Sequence, residues 1–96
     1  MAKIQLEING EKKVFTAEPK KARIVREAAE IYEDSSSESL KVSDLDRIAE
    51  FISKVFDNQF TPDEYFDSIP SEQFMTKFYE IVGMLMGRIS DKFPNA

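Results

Sequence analysis

Residues 3–8, Lys-Ile-Gln-Leu-Glu-Ile, alternate polar and apolar without a break, which places Ile4, Leu6 and Ile8 on one face of a strand. Asn9-Gly10 follows, the dipeptide that most readily takes the two positive φ values of a tight hairpin turn, and residues 11–17 form the return strand. A plain two-residue turn sets Phe15 opposite Ile4 and Lys13 opposite Leu6; a one-residue bulge instead brings Val14 to the Leu6 face, and the pattern allows both. A lone hairpin is marginal in water, so this one must lie on helices or pair with another chain.

Helical spacing takes over after Pro19, a residue suited to the first turn, and runs to about Asp34. Its apolar stripe is Ala22, Val25, Ala28, Ala29 and Tyr32, widened by Ile24 and Ile31. The polar stretch 34–39 reads as a flexible linker. A second helix is predicted over about 43–57, with Ser43 as cap and Asp46 as the acid of a capping box. Its stripe is Leu45, Ile48, Ala49, Ile52, Val55 and Phe56, with Phe51 off to one side, and Asn58 marks a left-handed stop.

Thr61-Pro62-Asp63-Glu64 is a second capping box, and Phe60 and Tyr65 sit where a hydrophobic staple closes. That short helix, about 62–68, ends because Pro70 restricts Ile69. The last helix covers about 71–90, and its apolar positions (Phe74, Met75, Phe78, Tyr79, Ile81, Val82, Leu85, Met86, Ile89) spread wider than one buried face needs. Residues 91–96 read as a frayed tail. The expected fold is α+β and mainly α: one domain over 1–96, with a hairpin packed on about four helices. Ile48, Ile52, Val55, Phe56, Phe74, Phe78, Val82 and Leu85 are expected to form its core.

Composition then narrows the function. The 96 residues include no Cys, His or Trp, so disulfides, thiolate or imidazole metal sites, and His-based catalysis are excluded. With 42% hydrophobic residues and eight Phe, the chain has the means to bury a core. No apolar run approaches the roughly 18 residues of a membrane span, and the start lacks a signal-peptide layout, so a soluble, cytoplasmic protein is expected.

The net charge of −5 is uneven: residues 1–26 hold seven Lys/Arg against three Glu, about +4, leaving about −9 for the rest. An acidic whole argues against nucleic acid as a partner. Lys20, Lys21, Arg23 and Arg26 crowd a helix N-terminus, where the macrodipole disfavours cations. They read either as a solvated face paired with Glu27 and Glu30, or as a basic patch by which a small adaptor module grips an acidic partner.

Asp57, Asp63, Glu64 and Asp67 cluster, but Pro62 stands where a calcium loop needs Gly and the alternating oxygen ligands are missing. Neither a convergent acid, base and nucleophile nor a phosphate loop is present, so no catalytic, cofactor or metal residues and no small-molecule substrate are expected.

Gly83 and Gly87 cost the last helix about 1 kcal/mol each relative to Ala. Close approach of another helix offsets such a cost, either within the fold or at a protein-binding or self-associating face. Met75, Met84 and Met86 lie on the same helix with Tyr79, and flexible thioethers suit both irregular cores and surfaces that accept varied apolar helices. Met84 lies off the main stripe, which places at least one Met at the surface or in an interface. The candidate protein-binding residues are therefore Met75, Tyr79, Gly83, Met84, Met86 and Gly87.

The run from Asp44 to Glu64, with a helix ending in Val55-Phe56, then Asp57-Asn58-Gln59-Phe60-Thr61 and an acidic start to a short helix, resembles the tail assembly chaperones of long-tailed phages and prophages of Gram-positive bacteria. The hairpin around Asn9-Gly10, the linker and the closing amphipathic helix agree with it; Ser68 departs from it, standing where relatives often carry Gly. The resemblance implies a non-enzymatic protein of virion morphogenesis, made in the host cytoplasm. It also implies binding to the tape-measure protein and recruitment of tail-tube protein around it. Relatives are often made in two lengths by ribosomal frameshifting, and this chain resembles the short form.

Overall fold

The computed structural model describes residues 2–18, 21–35 and 41–92. Strands β1 (Ala2–Ile8) and β2 (Glu11–Ala17) form an antiparallel hairpin, followed by helices α1 (Ala22–Ser35), α2 (Val42–Val55), α3 (Pro62–Ser68), a single 3-10 turn (Ser71–Gln73) and α4 (Phe74–Lys92). The architecture is α+β and mainly α, as the hydrophobic pattern predicts.

The hairpin takes the plain register, with Ile4 opposite Phe15 and Leu6 opposite Lys13. Asn9 at φ 54° and Gly10 at φ 79° supply the two left-handed residues of a type I′ turn, so no bulge is needed. Ala2, Ile4 and Leu6 are buried, while Val14, on the opposite face, is exposed.

The described part of α1 begins at Ala22; its expected start at Pro19 lies outside the described residues, as does most of the predicted linker. The predicted stripe is rotated: Ala28 and Ile31 are buried and Ile24 and Val25 half-buried, whereas Ala22, Ala29 and Tyr32 are exposed. The cause is that α1 packs on two helices, α2 and α4. Glu27, Glu30 and Asp34 run down its α2 side, where Lys54 and Arg47 meet them, and this turns Ala29 and Tyr32 out on the other flank.

Helix α2 begins earlier than the Ser43-Asp46 box predicts. Lys41 stands before the first turn, and the Asp44 carboxylate accepts its backbone N–H at 2.9 Å. Lysine has no acceptor to return, so only the acidic half of a capping box forms. The helix closes on a Schellman motif: Asn58 N–H donates to Ser53 O at 2.8 Å and Asp57 N–H to Lys54 O at 2.9 Å, with Asp57 and Asn58 both at φ 57°.

Phe51, predicted at the side, is fully buried and meets Phe78 of α4 edge-on at 6.0 Å between ring centroids. With α1, α3 and α4 all touching it, α2 has a wider inward face than a single stripe.

The Thr61 box forms as predicted: Thr61 Oγ1 accepts Glu64 N–H at 3.0 Å and Glu64 Oε1 accepts Thr61 N–H at 2.8 Å. Phe60 stacks on Tyr65 as the staple, and Ile69 is extended (φ −88°, ψ 133°) ahead of Pro70. Of the predicted core set, all are buried except Phe74, which is half-buried against the same cluster. The tail is helical as far as Lys92, and residues 93–96 lie outside the described residues.

Candidate protein-interaction surface

The six candidate residues all fall in α4, but they do not share one face. Residues two apart on a helix point about 160° apart, so Met84 and Met86 lie on opposite flanks. Tyr79, Gly83 and Met86, together with Val82, form one wall of an open, mainly apolar groove of about 750 Å³; Ala29, Tyr32 and Glu33 of α1 form the other. Tyr79 and Tyr32 are 46% and 47% exposed and meet edge-on at 5.9 Å across the groove. Two large rings held half in water, each bracing the other, give the groove an apolar wall with polar tips.

Gly83 is exposed on the groove side. Among the described residues, no heavy atom beyond its own stretch of helix lies within 4 Å of where its Cβ would stand. The fold therefore does not require this Gly for internal packing; its missing side chain leaves room at the surface. Gly87 follows one turn later on the same helix. Met84 is half-buried against the core on the far flank.

Met75 lines a different pocket, of about 380 Å³, with Leu45, Phe66, Ile69, Ser71 and Phe74. There Phe66 stacks on Phe74 at 5.3 Å and is 37% exposed.

Tyr32, Ala29 and Phe66 are the surface residues that pattern reading missed. Tyr32 and Ala29 were assigned to the core stripe of their helix, yet the excess width of that stripe was the available signal, since seven apolar positions exceed what one buried face takes.

A polar notch of about 250 Å³ lies on the other flank of α1, lined by Arg23, Arg26, Glu27, Glu30, Arg47 and Lys54. The expected pairing of Glu27 and Glu30 with the basic cluster of their own helix is not what forms. Glu27 meets Lys54 at 3.0 Å, while Arg47 meets Asp34 at 2.8 Å and Glu30 at 3.8 Å. The hydrogen bond that the Arg47 guanidinium donates to the Asp34 carboxylate raises its already high pKa further. Lys21, Arg23 and Arg26 are exposed, and Lys20 lies outside the described residues.

Asp63 and Glu64 sit in the first turn of α3, where negative charge suits the helix dipole, and among the described residues no three Asp or Glu side chains gather as a metal site would require. Among those residues no helix is long and apolar enough to cross a membrane.

Comparison with models of known families matches residues 1–95 to the family described as phage tail chaperone protein. No curated protein and no solved structure matches the chain.

Proposed function

Because the chain belongs to the phage tail chaperone family, we propose that it binds apolar helical segments of the tape-measure protein in the host cytoplasm and helps bring tail-tube protein to them. The role needs no chemistry, only a surface that covers a client helix until the tube does. The observation that carries this reading is the groove between α1 and α4, with two half-exposed tyrosines and the bare backbone of Gly83 in its wall. A helix laid there reaches the α4 backbone at Gly83, gains about 0.8 kcal/mol per buried methylene, and has Met86 to adapt to its side chains.

The test is co-expression with a phage tape-measure protein, followed by size-exclusion chromatography. Gly83→Leu adds bulk to the groove at an open position, where among the described residues the first added carbon has no neighbour within 4 Å beyond its own stretch of helix. Helical circular dichroism is therefore expected to persist while co-elution is lost. Co-elution of Gly83→Leu at the wild-type level would move the client to another surface.

A further inference from the structure

We propose that the notch between α1 and α2 is a second docking site, which takes an acidic helical segment of a partner protein presenting carboxylates one turn apart. The proposal goes beyond the apolar groove and uses none of its residues.

Four cationic side chains line the notch, from two helices: Arg23 and Arg26 of α1, Arg47 and Lys54 of α2. The two carboxylates in its wall are engaged across the seam, Glu27 with Lys54 and Glu30 with Arg47, which also holds Asp34. Among the described residues, no carboxylate pairs with Arg23 or Arg26. Arg23 stands in the first turn of α1, which carries no acidic residue, and so adds positive charge at the positive end of the helix dipole; Arg26 follows in the next turn, beside Glu27. The dipole opposes that charge at Arg23, and solubility does not need it in a chain of net charge −5.

Arg23 and Arg26 are three residues apart, a spacing that puts their side chains on one side of the helix about 5–6 Å apart at Cβ. Each guanidinium offers a planar fork that fits a carboxylate with two parallel hydrogen bonds. Glutamates at i and i+3 or i+4 of an acidic helix match the same spacing. Nucleic acid fits less well, because no aromatic ring lines the notch for base stacking.

The experiment titrates the full chain into a fluorescein-labelled helical peptide bearing Glu at every third or fourth position, with an oligonucleotide of equal charge as the second probe. Anisotropy is expected to show peptide binding that weakens steadily as NaCl rises past about 0.1 M, where the Debye length falls to about 10 Å. Arg23→Ala with Arg26→Ala is expected to weaken peptide binding about fivefold or more. Lys12→Ala with Lys13→Ala, which removes the same charge from the hairpin, is expected to change it less than about twofold. Gly83→Leu is expected to leave it unchanged, which separates this site from the groove. Equal losses from the two double variants, tighter binding of the oligonucleotide, or no peptide binding at low salt would each overturn the assignment.

Discussion

Ser53 ties the end of α2 to the loop that follows: its hydroxyl donates to the Phe60 carbonyl and its own carbonyl accepts Asn58 N–H at 2.8 Å. It is the one buried polar residue in the core of the described chain. Ser53→Ala leaves the Phe60 carbonyl without a donor and is expected to lower stability by about 1–3 kcal/mol, read from the urea midpoint. Asp57, next along, holds a left-handed conformation at φ 57°. Asp57→Gly is expected to raise stability by about 0.5–1 kcal/mol, because the left-handed penalty it relieves exceeds the chain entropy that Gly adds. Burial pushes the Tyr65 phenol well above its ordinary range, and its O–H donates to the Phe74 carbonyl at 2.9 Å. The folded phenol thus keeps its proton after the unfolded one loses it. Its contribution is complete below the unfolded value near 10 and is lost as pH rises from there through the raised folded value. Tyr65→Phe is expected to be less stable than wild type at pH 7 and to lose less on going to pH 11, by chemical denaturation at both. The role of Ser53 is not legible from residue type, since a serine beside the apolar stripe of α2 looks like any solvent-facing serine until Phe60 folds back over it.

Local chemistry decided the elements wherever it was self-contained. Asn9-Gly10, the Thr61-Glu64 box and the Ile69-Pro70 stop each need only neighbours in sequence, and each forms as the residues predict. Thr61→Ala removes the acceptor for Glu64 N–H and is expected to cost about 1 kcal/mol, measured as a lowered thermal midpoint. The readings that shifted have one local cause and one distant in the chain. Helix α2 starts at Val42 because the Asp44 carboxylate, three residues on, satisfies the Lys41 backbone N–H ahead of the Ser43-Asp46 pair that the pattern favours. The rotation of α1 follows from Arg47 and Lys54, whose pairing with Asp34, Glu30 and Glu27 spans 13 to 27 residues and leaves no periodic trace. Phe51 is buried for the same kind of reason: only the arrival of α4, with Phe78, covers it.

At the scale of the whole molecule, α1 separates two unlike surfaces: a charged seam toward α2 and an apolar groove toward α4. The excess apolar width of α4 was legible in the sequence, and Tyr79, Gly83 and Met86 stand in the groove as members of that set. The other wall was not legible, because which flank of α1 faces α4 depends on the seam. Under the proposed function, Gly83 sets stability against client binding. Gly83→Ala meets no neighbour and is expected to raise stability by about 0.5–1 kcal/mol while weakening client binding.

The central claim, that clients lie in the α1–α4 groove, is tested most directly by methyl-labelled methionine, since Met86 lines the groove while Met84 sits on the opposite flank of α4. On titration with overlapping peptides of the tape-measure protein, the methyl resonance of Met86 is expected to shift with saturation while that of Met84 stays in place. A bound peptide that moves Met84 and leaves Met86 untouched would contradict the account.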